Sequence, residues 1–263
     1  MLRVTMSVSA EGATKYFDAA LRASDYYASD QGVWGGKGAE RLGLAGYVSR
    51  EDFVALASNK IPGNKDKTLT VRTKDKRTAG YDFCFSVPKS FSVYLAHTGD
   101  KEPERMIHES FRETMTDIES RMETRVRGRG GKGEERDYNR TTGNLIYASF
   151  IHTVTRPIDG VPDPHYHVHG FTFNATFDEH EGRWKAGQFM NVKTDAPFYE
   201  AAFDARLAIK LLDSGYAIRR TDRDFELASI SRELIETFSK RTRRIEQLAV
   251  RNIRSSQPEP AHW

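Results

Sequence analysis

The chain of 263 residues carries 40 Lys+Arg against 37 Asp+Glu, a formal net charge of +3, with 38% hydrophobic and 29% charged residues. That balance excludes a disordered chain and a membrane-embedded one, and leaves a globular protein of one large or two small domains. A single cysteine, Cys84, excludes an intramolecular disulfide framework and a Cys-rich zinc module, so any metal is expected on His or carboxylates. A net +3 says little about partners, because only the placement of charge along the chain can do so. The first twenty residues hold no continuous apolar run and carry Lys15 inside a periodic segment, so no secretory leader is expected. No stretch approaches the roughly 18 apolar residues of a membrane span.

Ala13, Phe17, Ala20 and Leu21 recur at helical spacing and predict a helix over about 11–27, followed by a Gly-rich loop over 32–38. A short helix is expected over 52–56 and a polar, Lys/Arg-rich surface loop over 59–78. The alternating, aromatic run 81–86 predicts a strand, and Pro88 suits the first turn of a helix through Leu95. A long amphipathic helix is expected over 102–126, ending in a Gly/Arg loop at 127–133. Two β-rich runs, 145–154 and 166–177, are separated by Pro157, Asp159-Gly160 and Pro162, the pattern of paired strands joined by a longer connection. Residues 197–212 read as a helix with Gly215 just past its end. Short strands at 216–219 and 224–227 and a helix over 231–251 complete the pattern. Residues 1–254 read as one domain and the Ser/Pro-rich 255–263 as a polar tail or linker. Strands flanked by helices, with an antiparallel pair at the centre, make an α+β fold.

Histidine is the local anomaly. Four of the eight imidazoles fall between His152 and His169. Side chains alternate along a strand, so His165, His167 and His169 share one face, and a neighbouring strand ending at His152 brings a fourth imidazole beside them. Three convergent imidazoles make a divalent-metal site with positions left open for substrate, whereas a polar strand facing water would need no such clustering. Asp82 lies mid-strand between Tyr81 and Phe83. It either accepts the free N–H of a ligand imidazole, fixing its tautomer, or sits exposed on an edge strand. Cys84 shares its face and reads as apolar packing.

Several motifs in the same order carry a resemblance across nearly the whole chain: Lys15-Tyr16-Phe17, Asp25-Tyr26-Tyr27, Trp34-Gly35-Gly36-Lys37-Gly38-Ala39-Glu40, Gly80-Tyr81-Asp82, Ser86-Val87-Pro88-Lys89-Ser90, His152 to Arg156, and Asp163-Pro164-His165-Tyr166-His167-Val168-His169. In these the sequence resembles the relaxase domain of the MobF conjugative family (TraI/TrwC type), within the HUH endonucleases. The resemblance implies a central antiparallel, palm-like sheet flanked by helices on both faces. It selects His152, His167 and His169 as metal ligands, with Asn174 in the family's downstream frame, and leaves His165 to the outer shell or to DNA.

The resemblance also implies the chemistry. A tyrosine attacks one phosphate of single-stranded DNA at an origin-of-transfer nick site, leaving a 5′-phosphotyrosyl link and a free 3′-OH. Tyr16 matches the first nucleophile. Where relatives often carry adjacent tyrosines, this chain has Tyr16-Phe17. Tyr26 or Tyr27 matches the second cluster, for a transfer at termination. Asp82 matches the carboxylate beside the imidazoles, and the cofactor implied is Mg²⁺ or Mn²⁺, with Zn²⁺, Ni²⁺ or Co²⁺ able to substitute. A phenol with an ordinary pKa near 10 needs a base or metal to become a nucleophile. Trp34, Lys37, Lys89 and Arg156 lie in the matched motifs and are expected to stack on or grip single-stranded DNA. The Gly loop is no P-loop, since Lys37 is followed by Gly38. The basic runs at 60–77 and from Arg121 to Lys132 suit phosphate contact, while interspersed Glu119, Glu123, Glu134 and Glu135 suit a solvated surface equally well. Also implied are a helicase domain or separate helicase, accessory relaxosome proteins, and a bacterial cytoplasmic location with export on the transferred strand. Other readings are a DNA-binding module without catalysis, a rolling-circle replication initiator of the same superfamily, and a metal-dependent hydrolase of a small phosphoester.

Overall fold

The computed structural model describes residues 1–24, 32–71, 77–128, 137–222 and 224–245, without the side chains of 20–24 and 65. In chain order the elements begin with β1 (Leu2–Ser7), α1 (Ala10–Ser24), β2 (Val33–Gly35), α2 (Lys37–Arg41), α3 (Arg50–Ala57), β3 (Lys60–Ile61), β4 (Asn64–Thr68), β5 (Gly80–Ser86), α4 (Lys89–Thr98) and α5 (Lys101–Ser120). They continue with β6 (Glu123–Val126), β7 (Tyr138–Thr141), β8 (Tyr147–Val154), β9 (Pro164–Phe173), β10 (Thr176–Asp178), β11 (Arg183–Lys185), α6 (Met190–Thr194), α7 (Ala196–Asp213), β12 (Ile218–Arg220), β13 (Phe225–Leu227) and α8 (Arg232–Thr237).

Five strands form the central sheet in the order β1-β5-β9-β8-β2, every neighbour antiparallel. The fold is therefore α+β, with helices on both faces as expected. Period-2 alternation divides the strands cleanly. Phe83 and Phe85 of β5 and Tyr166 and Val168 of β9 turn toward α4, α5 and α7, where they are buried with Phe91, Phe111, Ile107, Phe203 and Leu207. Phe171 and Phe173 of β9 and Phe150 of β8 point the other way, into a second core with Ala13 and Phe17 of α1 and Phe53 of α3. The residues of β5 and β9 left on that second face near one end are Asp82, Cys84, Ser86, His165, His167 and His169.

The Gly-rich segment is a packing device, and part of it is a strand. β2 pairs with the start of β8, and a Cβ at Gly36, whose φ is +93°, would lie 2.4 Å from the Leu145 carbonyl oxygen. Gly38 N–H donates to that same oxygen at 2.8 Å. The buried Glu119 carboxylate accepts from the N–H groups of both Lys37 and Leu145 at 2.8 Å, fixing the loop to the segment that leads into β8. Burial raises the pKa of this carboxyl above the ordinary glutamate value.

Other boundaries differ from expectation. The amphipathic pattern of α5 runs on past its end, but the helix stops at Ser120. From Met122 the burial alternates, with Met122 and Thr124 inside, and β6 pairs with β7. The 59–78 segment contains the β3–β4 hairpin, with Gly63 at φ +74° in its turn. The buried Asn59 side chain donates to the Thr70 carbonyl and accepts from its N–H, closing that unit. β1 is an addition to the expected elements, because a six-residue edge strand gives little pattern of its own. α8 ends at Thr237, and after a break at Phe238 and Ser239 the chain is helical again over 240–245, so the helix expected over 231–251 is interrupted. Residues 246–254 and the 255–263 tail lie outside the described residues, as do Tyr26, Tyr27, Arg129, Lys132, Glu134 and Glu135. Among the described residues, no helix is long and apolar enough to cross a membrane.

Candidate active site

The register of the sheet brings the polar residues into rows. Cys84, His169 and Phe150 are cross-strand partners on β5, β9 and β8, and Ser86, His167 and His152 form the next row. Ring centroids of His152 and His167 are 5.2 Å apart, those of His152 and His169 4.9 Å, and those of His167 and His169 4.9 Å. The structure thus gathers the three imidazoles that the resemblance selected. His165 lies outward of them, 4.7 Å from His167 by ring centroid, with Nε2 3.4 Å from Ser86 Oγ.

Asp82 is no edge-strand residue, since β5 pairs on both sides. Its carboxylate receives His169 Nδ1 at 2.8 and 3.0 Å, and accepts a hydrogen bond from Tyr16 Oη at 3.0 Å. The Asp82 and His169 side chains are each only 14% exposed. Tyr16 comes from α1, whose next residue, Phe17, is buried at 1% exposure against Phe53 with centroids 4.6 Å apart. Successive helical residues point about 100° apart, so sinking Phe17 into the core turns Tyr16 over the strands. There its ring lies 5.8 Å from His169 and 5.2 Å from Phe171.

Electrostatics separates these groups. Burial, reinforced by the Asp82 charge, raises the Tyr16 phenol well above its ordinary value, so the hydroxyl is held protonated with its hydrogen aimed at the carboxylate. Burial lowers His169, but the Asp82 and Cys84 interactions outweigh it and hold its pKa at about 10. Burial, with neighbouring cations and imidazoles, pushes His165 down to about 4 and His167 down to about 2. His167 Nδ1 lies 2.8 Å from the His165 carbonyl oxygen, which leaves its Nε2 toward the cluster. A neutral imidazole with one nitrogen held by an oxygen is the form that ligates a divalent ion, and the donor set fits a metal.

Of the expected DNA contacts, Lys89 lies near the imidazoles and Arg156 follows the strand that carries His152. Lys89 Nζ donates to the Pro164 carbonyl at 2.5 Å at the start of β9, and burial draws this ammonium below the ordinary lysine range. Arg156 is exposed in the β8–β9 connection, four residues past His152. The other two are elsewhere. The Trp34 indole is 8% exposed and packs 6.0 Å from Phe173, so it is a core residue and offers no free face for a base. Lys37 is exposed but adjoins β2, which pairs with the far end of β8 from His152. Asn174 is structural, accepting from Gly187 N–H and donating to the Thr78 carbonyl. Cys84 is the site neighbour that sequence reasoning undervalues. Its Sγ lies 3.9 Å from His169 Nε2, and the signal for it is the i, i+2 relation to Asp82.

Fold and site together define a class, that of the DNA relaxases. A family model described as TrwC relaxase matches residues 10–262, and the chain belongs to that family. The multifunctional conjugation protein TraI of Escherichia coli is 33% identical over 152 residues, 58% of this chain and 8% of TraI, and its counterpart in strain K12 is 32% identical over the same length. The matched region is thus a small part of those relatives. Among solved structures, the conjugative relaxase TrwC in a metal-bound complex with oriT DNA superposes with a TM-score of 0.82 at 29% identity, covering 100% of this chain and 86% of that one. A copper-bound oriT complex of TrwC gives 0.84 at 30% identity, covering 100% and 87%. TrwC with a 27-mer comprising the recognition hairpin and the cleavage site gives 0.79 at 30%, covering 100% and 86%.

Proposed function

We propose that the chain nicks one strand of DNA at an origin-of-transfer site and holds the cut end covalently through Tyr16. The observation that carries this reading is the Tyr16–Asp82–His169 chain of hydrogen bonds, 3.0 Å and then 2.8 Å, beside three convergent imidazoles. Asp82 takes the Tyr16 proton while His169 anchors the carboxylate from its other side. The phenolate oxygen attacks the scissile phosphorus, the bond to the 3′ oxygen breaks, and that oxygen leaves as a hydroxyl after taking a proton from solvent. One phosphodiester replaces another, so the step runs backward when a 3′-OH attacks the phosphotyrosine and Asp82 returns its proton to Tyr16.

His152, His167 and His169 would hold the divalent metal, which supplies charge neutralisation at the phosphate oxygens. Three imidazole donors suit Mn²⁺, Co²⁺, Ni²⁺ or Zn²⁺ better than Mg²⁺, which prefers an oxygen shell. Lys89 beside His165, and Arg156 in the connection beyond His152, contact the strand near the scissile phosphate. Tyr26 or Tyr27 serves the second transfer. The protein acts in the bacterial cytoplasm, with a helicase and accessory DNA-binding proteins as partners.

Incubation with labelled single-stranded oligonucleotides spanning a nick site, with Mn²⁺ and then denaturation, tests the reading. The expected result is a covalent adduct that Tyr16→Phe abolishes. An adduct that survives Tyr16→Phe overturns the nucleophile. Binding without adduct supports a DNA-binding module, and phosphate release without adduct supports a hydrolase.

A further inference from the structure

Cys84 has no part in that mechanism, yet it does not behave as packing. The side chain is half-buried, and it belongs to neither apolar core. Its backbone is paired directly with that of His169 across β5 and β9, which puts the two side chains next to each other on the site face. Sγ lies 3.9 Å from His169 Nε2, while Nδ1 of the same ring is taken by Asp82. The nitrogen nearest the sulfur is therefore the one left to ligate. Ligand atoms of Cys84, His167 and His169 all lie within 4.8 Å of one another. In a tetrahedral site with a thiolate at about 2.3 Å and an imidazole at about 2.0 Å, sulfur and nitrogen sit about 3.5 Å apart. The separation in this protein needs only a few tenths of an ångström to reach that value.

We propose that Cys84 is a ligand of the metal centre, adding a thiolate to the imidazoles of His167 and His169, so that this site selects a thiophilic divalent cation, Zn²⁺ or Co²⁺, over Mg²⁺. The proposal rests on the imidazole cluster being the metal centre and adds to it a ligand and a preference. Binding exchanges the thiol proton of Cys84 and the Nε2 proton of His169 for the ion, and both protons pass to solvent. His152, with its ring centroid 4.9 Å from that of His169, would supply a fourth donor, the number that fills a tetrahedral ion, and a phosphate oxygen would be a fifth. Soft sulfur is the donor that hard Mg²⁺ uses least.

The test is optical and does not depend on nicking. The full chain is stripped of metal with a chelator and titrated with Co²⁺, with Cys84→Ser, Cys84→Thr and His152→Ala alongside. The wild type is expected to show visible d–d bands together with a near-ultraviolet sulfur-to-cobalt charge-transfer band. Cys84→Ser and Cys84→Thr keep the d–d bands and lose the charge-transfer band, and their Zn²⁺ affinity in chelator competition falls at least about tenfold. His152→Ala keeps the charge-transfer band. Wild-type d–d bands without charge transfer overturn Cys84 as a ligand and leave the imidazole centre standing. The absence of any cobalt band overturns both the ligand and the centre. Because the wild-type spectrum decides the question, a variant that fails to fold does not obscure it.

Discussion

The two faces of the central sheet are cut from the same strands and hold different chemistry. On the face covered by α4, α5 and α7, β5 and β9 contribute Phe83, Phe85, Tyr166 and Val168, and every one of these is buried. On the face covered by α1 and α3, the same two strands contribute Phe171 and Phe173 at one end and Asp82, Cys84, His167 and His169 at the other. One face is packed along its whole length, while the second is packed over half of it and polar over the rest. The division teaches that parity separates packing from the polar cluster along β5, whereas the odd positions of β9 serve both, the imidazoles at one end and the phenylalanines at the other.

That separation can be broken from either side. The largest effect is expected at Asp82→Asn, which keeps the side-chain volume and removes the proton acceptor. Adduct formation should slow by about 10²–10⁴-fold, with thermal unfolding of the metal-loaded protein little changed, as read by single-turnover kinetics and calorimetry. A loss of stability in place of rate would mean that Asp82 belongs to the packed half. On the opposite face, Phe85→Ala removes a ring that is 0% exposed and lies 5.2 Å from Phe203. It should cost about 3–5 kcal/mol in denaturant unfolding while the nicking rate per folded molecule stays within about twofold.

A smaller effect is the pH dependence of the metal-free protein. His165 and His167, at about 4 and about 2, stay neutral in the fold while the unfolded chain takes up protons below about 6.5. Their contribution is therefore lost as pH falls from about 6.5. His169, at about 10, keeps its proton in the fold while the unfolded chain releases it above about 6.5, so its contribution is lost as pH rises toward 10. Stability from this cluster should peak near pH 6.5, and Asp82→Asn should flatten the alkaline limb alone. Chemical denaturation across pH checks both limbs, and an unaltered alkaline limb would detach His169 from Asp82. The smallest effect distinguishes the two ends of β8. Arg156→Ala should reduce the salt slope of single-stranded DNA binding by about 0.7, whereas Lys37→Ala should leave it unchanged.

The site face is the more legible one in the amino-acid sequence. Alternation alone puts His165, His167 and His169 together, because imidazoles at period 2 within one strand must share a side of the sheet. The resemblance then names His152 and sets His165 aside, a choice that spacing leaves open. What alternation cannot provide is lateral order. That Cys84 sits beside His169, and that Asp82 meets Tyr16 from a helix 66 residues away in sequence, are facts of register between strands and of helix docking. Trp34 departs from expectation for a related reason: a Trp in a Gly-rich segment reads as exposed, but these glycines let the backbone approach β8 closely and bury the indole. The end of α5 is hidden in the sequence because Met122 continues a helical spacing while also beginning a strand.

The adjacency of Phe17 and Tyr16 has a mechanical consequence. Phe17 acts as a key seated in the lock made by Phe53 and Phe150, and it sets the rotational setting of α1 about its own axis. Any substitution that lets α1 roll misdirects the hydroxyl by the same angle without touching a polar atom. A second tyrosine introduced at position 17 would carry its oxygen into that lock, away from the strand end where cutting is proposed. The helix is thus an indexed shaft, and Tyr16 is the tooth it turns toward the strands.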